Sequence, residues 1–192
     1  MPVLVLAVAV AVGVVAGVMS GGRVSHLLRA RLRAWPLLAA ALAAEYSVGG
    51  FPGGVRWIVA SAGCALVVAW CLIHRALEGS TPALSLIGAG TVLNTVAIAA
   101  NGGMPVSASA LRRAGLPPGF DVAHGHFYKH VAMTPGTHLR ALGDVLPFRP
   151  ERMVLSAGDL LMLFGVAALA WAWTRSPKPR TAGTSITAPA RA

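Results

Sequence analysis

The sequence predicts an all-α membrane protein of about five transmembrane helices, with a long extracytoplasmic loop folded on the outer face. Three observations carry that expectation. Hydrophobic residues make up 56% of the 192 and charged residues only 11%, whereas an ordinary soluble domain carries about 25% charged residues. So few charges cannot dress a water-facing surface, and the mean hydropathy of +0.68 agrees. Apolar runs recur at lengths that suit a bilayer, and most basic residues fall on one side of the alternating crossings.

The runs lie near residues 2–20, 35–50, 55–74, 82–101 and 153–174. Crossing the hydrocarbon core takes about 20 helical residues, and four of the runs reach that length. The second carries Glu45 and is shorter, either a full span or a partly re-entrant segment. The first is read as an uncleaved helix, because no basic stretch precedes it and one follows it. It carries Gly13, Gly17 and Gly21 at four-residue spacing, a pattern that lets a second helix approach closely in lipid. That helix belongs either to the same chain or, in a homo-oligomer or a complex with another membrane protein, to a partner. Trp35 and Pro36 open the second run, where proline suits a first helical turn. The two cysteines, Cys64 and Cys71, would lie roughly 10 Å apart along one helix, too far for a disulfide, and are read as packing residues.

Orientation follows from charge. Arg23, Arg29, Arg31, Arg33, Arg75, Arg175, Lys178, Arg180 and Arg191 all fall on one side if five helices alternate, against Arg56 at the short turn on the other; the six Lys and Arg of the long loop are set aside, because long loops translocate largely regardless of charge. The positive-inside rule makes the first side cytoplasmic. The N-terminus is then outside, the loop over residues 102–152 is extracytoplasmic, and residues 176–192, rich in Pro, Ser, Thr and basic residues, form a disordered cytoplasmic tail. Residues 1–175 make one membrane domain. The net charge of +10 reads as topology and attraction to lipid headgroups. Nucleic acid is not expected as a partner, since no basic–aromatic motif accompanies the charge.

Polar residues inside the apolar runs mark the candidate sites. Gly90, Asn94, Ala97 and Asn101 form one small, polar stripe on the fourth helix. A buried amide in lipid must find partners, so the stripe either bonds to another helix or lines a small polar cavity. Asn101-Gly102-Gly103-Met104-Pro105 stops that helix, with glycine supplying a left-handed residue and Pro105 barring continuation. Ser156 and Asp159 have the spacing of an N-cap and its reciprocal acid. Glu45, Asn94, Asn101, Gly102, Gly103 and Ser156 are the candidate binding residues at the outer face. Asp159, near membrane depth, is a functional candidate by default, and His130, Asp144 and Asp159 are the candidate acid/base residues if the chain is a membrane enzyme. A short helix near residues 122–133 would set His126 and His130 four apart on one face, a spacing that suits a divalent metal. No zinc-protease, P-loop or nucleophile-elbow motif is present, and no cofactor is expected beyond that one metal alternative. The outer loop is expected to fold onto the ends of the second, fourth and fifth helices, where Asp144 and His130 would meet Asn101 or Asp159.

Several of these residues carry a resemblance. The segment Asn94-Thr-Val-Ala-Ile-Ala-Ala-Asn101-Gly-Gly-Met-Pro105-Val, followed by Lys129-His130-Val-Ala-Met133-Thr134, Thr137-His138-Leu139, Leu142-Gly143-Asp144, Pro147 and Ser156-Ala-Gly-Asp159, resembles a bacterial multi-pass membrane family. That family is catalogued as domain of unknown function 5317. Lys129 stands where its members often have Asn, and His138 where they often have Arg. The resemblance implies a small multi-pass membrane protein and implies no activity; the residues and their charge add the bacterial inner membrane as its location.

Three function classes remain open at this point. The first is a non-catalytic accessory or small-ligand-binding role at the outer face. The others are a small transporter using the polar stripe, and a membrane enzyme acting on a lipid-linked substrate.

Overall fold

A computed structural model describes residues 3–28, 34–78, 81–116 and 130–175. These residues are mostly helical. The first helix, α1 (Val3–Met19), is followed by one turn, α2 (Val24–Leu27). Then come α3 (Trp35–Ser47), α4 (Gly53–Glu78) and α5 (Thr81–Asn101). After α5 the chain forms β1 (Met104–Val106), α6 (Ala108–Arg113) and β2 (His130–Ala132). It then forms the hairpin β3 (Leu146–Phe148) and β4 (Met153–Leu155), and closes on α7 (Ala157–Thr174).

The long helices stand in a row. The α5 helix packs on α4 and on α7, α3 lies against α4, and α1 lies against α7. Among the described residues three stretches are long and apolar enough to cross a membrane: Val55–His74, Pro82–Asn101 and Ala157–Thr174. Leu4–Met19 is apolar but shorter. Leu4, Val8, Val12 and Val15 on α1 are all more than half exposed. In water such a valine-rich segment would be a poor helix. In lipid every backbone group must be bonded within the segment, and helix is the way one isolated segment can do so.

The close crossings use glycine. A Cβ on Gly13 would collide with the Ala167 carbonyl, and one on Gly17 with the Thr174 hydroxyl. Both glycines of α1 are therefore spent on α7 of the same chain. Gly21 meets nothing within 4 Å and instead has φ +87°, ending α1. At the other major crossing, a Cβ on Gly90 of α5 would collide with the Gly158 carbonyl of α7.

Several boundaries differ from the expectation. The last span begins at Ala157, and residues 153–155 are the strand β4. Met153-Val154-Leu155 is apolar like the helix behind it, but it pairs antiparallel with Leu146–Phe148, in register Leu146 with Leu155. Residues 48–50 form a 3₁₀ turn after α3 rather than its last helical turn. The helix expected near 122–133 is not found at its described end. Residues 130–132 are extended and pair in parallel with β1, Met104 opposite His130. Residues 122–129 lie outside the described residues, as does the tail 176–192.

The segment after α5 thus builds a small cap. Asp144 bridges the other side of β1, opposite Val106. The Asp144 N–H donates to the Pro105 carbonyl at 2.8 Å, and the Ser107 N–H donates to the Asp144 carbonyl at 3.0 Å. Val106 and Leu111 make the cap's own apolar centre, with Leu116 and Val154 against it. A second apolar cluster joins cap to bundle: Met104 and Leu142 pack with Val48, Ala60, Ala97 and Ile98.

Candidate functional site

Three polar clusters hold most of the residues that the sequence singles out. The first sits where α7 begins. Ser156 is the N-cap of α7, and its hydroxyl accepts from the Asp159 N–H at 2.9 Å. Asp159 Oδ2 accepts from the Ser156 N–H at 3.0 Å, completing the reciprocal cap. Asn94 joins both from α5. Its Nδ2 donates to Asp159 Oδ1 at 3.0 Å, and its Oδ1 accepts from the Ser156 hydroxyl at 2.9 Å. Asn94 and Ser156 are buried. Both oxygens of the Asp159 carboxylate are therefore engaged, in positions where the α7 dipole also favours negative charge. The α5 stripe at Gly90 and Asn94 is filled by α7 rather than by a cavity.

The second cluster ends α5. Gly102 has φ +69°, and the Gly103 N–H donates back to the Ile98 carbonyl at 3.1 Å. This is the left-handed helix stop the sequence implies. Asn101 faces the loop beyond it. Its Oδ1 accepts from the His138 N–H at 2.9 Å, and its Nδ2 donates to the His138 carbonyl at 3.0 Å and to the Ala97 carbonyl at 2.8 Å. The amide grips both backbone groups of one residue, as a neighbouring strand would. It is the backbone of His138 that is used, while the side chain of that residue is exposed. An open polar recess of about 300 Å³ lies over this contact, lined in part by Asn101, Thr134, Thr137 and His138.

The third cluster is inside the cap. His130 Nε2 lies 3.3 Å from Asp144 Oδ2, and the Asp144 side chain is only 6% exposed. The expected meeting of Asp144 and His130 with Asn101 or Asp159 is replaced by a pair between themselves. Asp159 turns to Asn94 and Ser156, and Asn101 to His138. Register explains the choice: β1 lies between residue 130 on one edge and residue 144 on the other.

Glu45 lies exposed on α3. His126 is outside the described residues. Among the described residues no group of three or more His, Cys, Asp or Glu is placed to hold a metal.

Sequence reasoning passed over His74. It is 1% exposed near the end of α4, its ring centroid 4.4 Å from that of Trp70. The available signal was a histidine closing an apolar run, where an ionisable side chain must be accommodated by the bundle.

A model of a family of unknown function, DUF5317, matches residues 29–171, well over half of the chain. The match takes in α3 and α4 as well as the cap and α7. No curated protein and no solved structure matches the chain.

Proposed function

The chain belongs to the family of unknown function DUF5317, and from that footing we propose a non-catalytic accessory or small-ligand-binding protein of the bacterial inner membrane, working through its outer cap. In this reading α1, α3, α4, α5 and α7 all span the bilayer. The N-terminus and the cap lie outside and the C-terminal tail lies in the cytoplasm, as the distribution of basic residues indicates.

One observation carries the choice of class. The acidic side chains that an enzyme would use are committed to structure. Asp159 gives both oxygens to the α7 cap and to Asn94, and Asp144 is paired with His130 within the cap. An enzyme needs titratable groups converging on an open pocket. The open polar recess instead offers Thr134, Thr137 and His138 beside the already engaged Asn101 amide, groups suited to hydrogen-bonding a ligand. Transport is disfavoured by the Gly90–Gly158 crossing, where backbone lies on backbone with no room for a lumen.

Asp159→Asn and Asp144→Asn, each scored for complementation of a deletion strain and for protein abundance, test this. The expected result is that complementation follows abundance, with both falling together or both retained. Normal abundance with lost complementation in either variant would overturn the non-catalytic reading. Topology is tested separately. In a background lacking Cys64 and Cys71, a cysteine at Ser109 in the cap should react with a membrane-impermeant maleimide in intact cells. Reaction only after lysis would overturn the orientation.

A further inference from the structure

The cap carries a group of arginines that no acid among the described residues neutralises. Arg112 and Arg113 end α6, and Arg149 and Arg152 belong to the turn that joins β3 to β4. All four are exposed. Arg149 Nε donates to the Arg113 carbonyl at 2.9 Å, which brings the two pairs together. On α6 the buried residues are Ala110 and Leu111, so Arg112 and Arg113 both lie on its outward side. The Arg152 N–H donates to the Arg149 carbonyl at 3.0 Å, with Arg152 held in a left-handed conformation at φ +47°. Glu151 sits in the same turn, yet among the described residues none of the four arginines forms an ion pair with it or with any other acid.

Their height above the bundle is fixed by the chain. From Arg152 the strand β4 runs directly into Ser156, the N-cap of α7. Four residues of extended chain span at most about 13 Å. The α7 helix, at 18 residues, is about 27 Å long, close to the thickness of the hydrocarbon core. Its first turn therefore lies near the hydrocarbon edge, and the arginine turn falls at or just above the phosphate layer. Leu146, at 37% exposed, and the exposed Pro147 lie on the strand beside it, and apolar residues next to guanidinium groups are what a headgroup boundary accommodates.

We propose that Arg112, Arg113, Arg149 and Arg152 form a docking surface for the phosphates of anionic phospholipid headgroups, in the leaflet into which α7 inserts. The guanidinium forks would take phosphate oxygens in pairs. The guanidinium charge then serves to fix the cap against the membrane surface, and so to set the attitude of the recess at Asn101. This rests on the reading that the bundle spans a bilayer, but not on which side the cap faces.

The test uses the full chain purified in a neutral detergent, with phosphatidylglycerol and phosphatidylcholine of the same acyl chains as probes. Lipid retention is read by native mass spectrometry. Phosphatidylglycerol should be retained in preference, and the preference should weaken as salt rises. The R112Q/R113Q/R149Q/R152Q variant should lose it, each arginine being worth roughly a fivefold change. The corresponding lysine variant should keep much of it, since the charge remains. R23Q/R175Q, at the opposite end of α7, should lower the preference less for each arginine removed than the cap variant does. Unfolding midpoints in phosphatidylcholine check that the glutamine variant is folded. Were that variant unfolded, the four single substitutions would carry the same comparison. Equal retention of the two lipids, an unaltered preference in the folded glutamine variant, or an equal loss per arginine in R23Q/R175Q would overturn the proposal. So would saturation of the site by millimolar inorganic phosphate alone, which would make it a site for the free ion. A chain that dissolves without detergent would instead sink the membrane reading itself.

Discussion

Gly90 and Gly88 lie two residues apart on α5, and the structure assigns them opposite responses to the same substitution. A methyl on Gly90 would run into the Gly158 carbonyl oxygen and lie 2.9 Å from Met162 Cγ and 3.0 Å from Met162 N. Carbon contacts are comfortable only near about 3.5–4.0 Å, so α5 and α7 would have to part by roughly 0.5–1 Å at this crossing. Two of the obstacles are backbone atoms, which cannot rotate away. Overpacking costs about 1–3 kcal/mol, and the upper half of that range applies here. The same parting stretches the Asn94 bonds to Asp159 and Ser156, each worth about 0.6 kcal/mol between membrane helices. Alanine returns about 1 kcal/mol through its helix preference. The net loss expected for Gly90→Ala is about 2–3 kcal/mol. A methyl on Gly88 meets only Cys71 Cβ, at 3.9 Å. Gly88→Ala should therefore keep the helix gain and stabilise by about 0.5–1 kcal/mol. Unfolding of each purified variant in detergent micelles, by heat or by SDS titration, reads the difference. If Gly90→Ala matches the parent or exceeds it, or if both variants shift the same way by the same amount, the backbone contact between α5 and α7 is not as described.

Other consequences follow from the clusters. Asn101→Ala removes both bonds to the His138 peptide, so amide exchange over residues 134–142 should quicken roughly tenfold, as expected for losing about 1–2 kcal/mol; unchanged exchange there would mean the loop is held by something else. Ser156→Ala should cost about 1 kcal/mol through the lost cap, and more if the Asn94 amide is left unsatisfied; a double-mutant cycle with Asn94→Ala should show coupling, and strict additivity would refute the shared network. Asp144→Ala combined with His130→Ala should destabilise the cap less than the sum of the single changes, measured as protease sensitivity of the loop; additivity would deny the pair. Gly17→Leu should weaken α1 docking on α7 severely, read as a loss of folded protein on gel filtration, whereas Gly21→Ala should act only through its φ of +87°.

Local signals in the sequence were reliable where one turn of chain decides the outcome. Ser156 and Asp159 stand three apart and cap the helix that follows. Gly102 ends α5 because a left-handed residue is needed there and the chain supplies glycine. The glycines of α1 announced a close helix contact, though not its partner. The cap was much less legible. Met153-Val154-Leu155 reads as the start of a span, and only its pairing with Leu146–Phe148 makes it a strand. His130 reads equally as helical, and only β1 makes it extended. The arginine turn was counted as loop charge, because nothing local brings Arg149 to Arg113.

Composition and the spacing of apolar runs alone determined that this chain folds as helices with lipid-compatible faces, since a segment without water must bond its own backbone, and that requirement is local. Tertiary structure alone decided which polar groups meet. Asn94 and Asp159 are 65 positions apart, and the distance between them is set by how α5 and α7 cross at Gly90 and Gly158. Asp144 reaches His130 only because both flank β1. Pairing between distant segments is a property of packing, and no periodicity in the sequence encodes it.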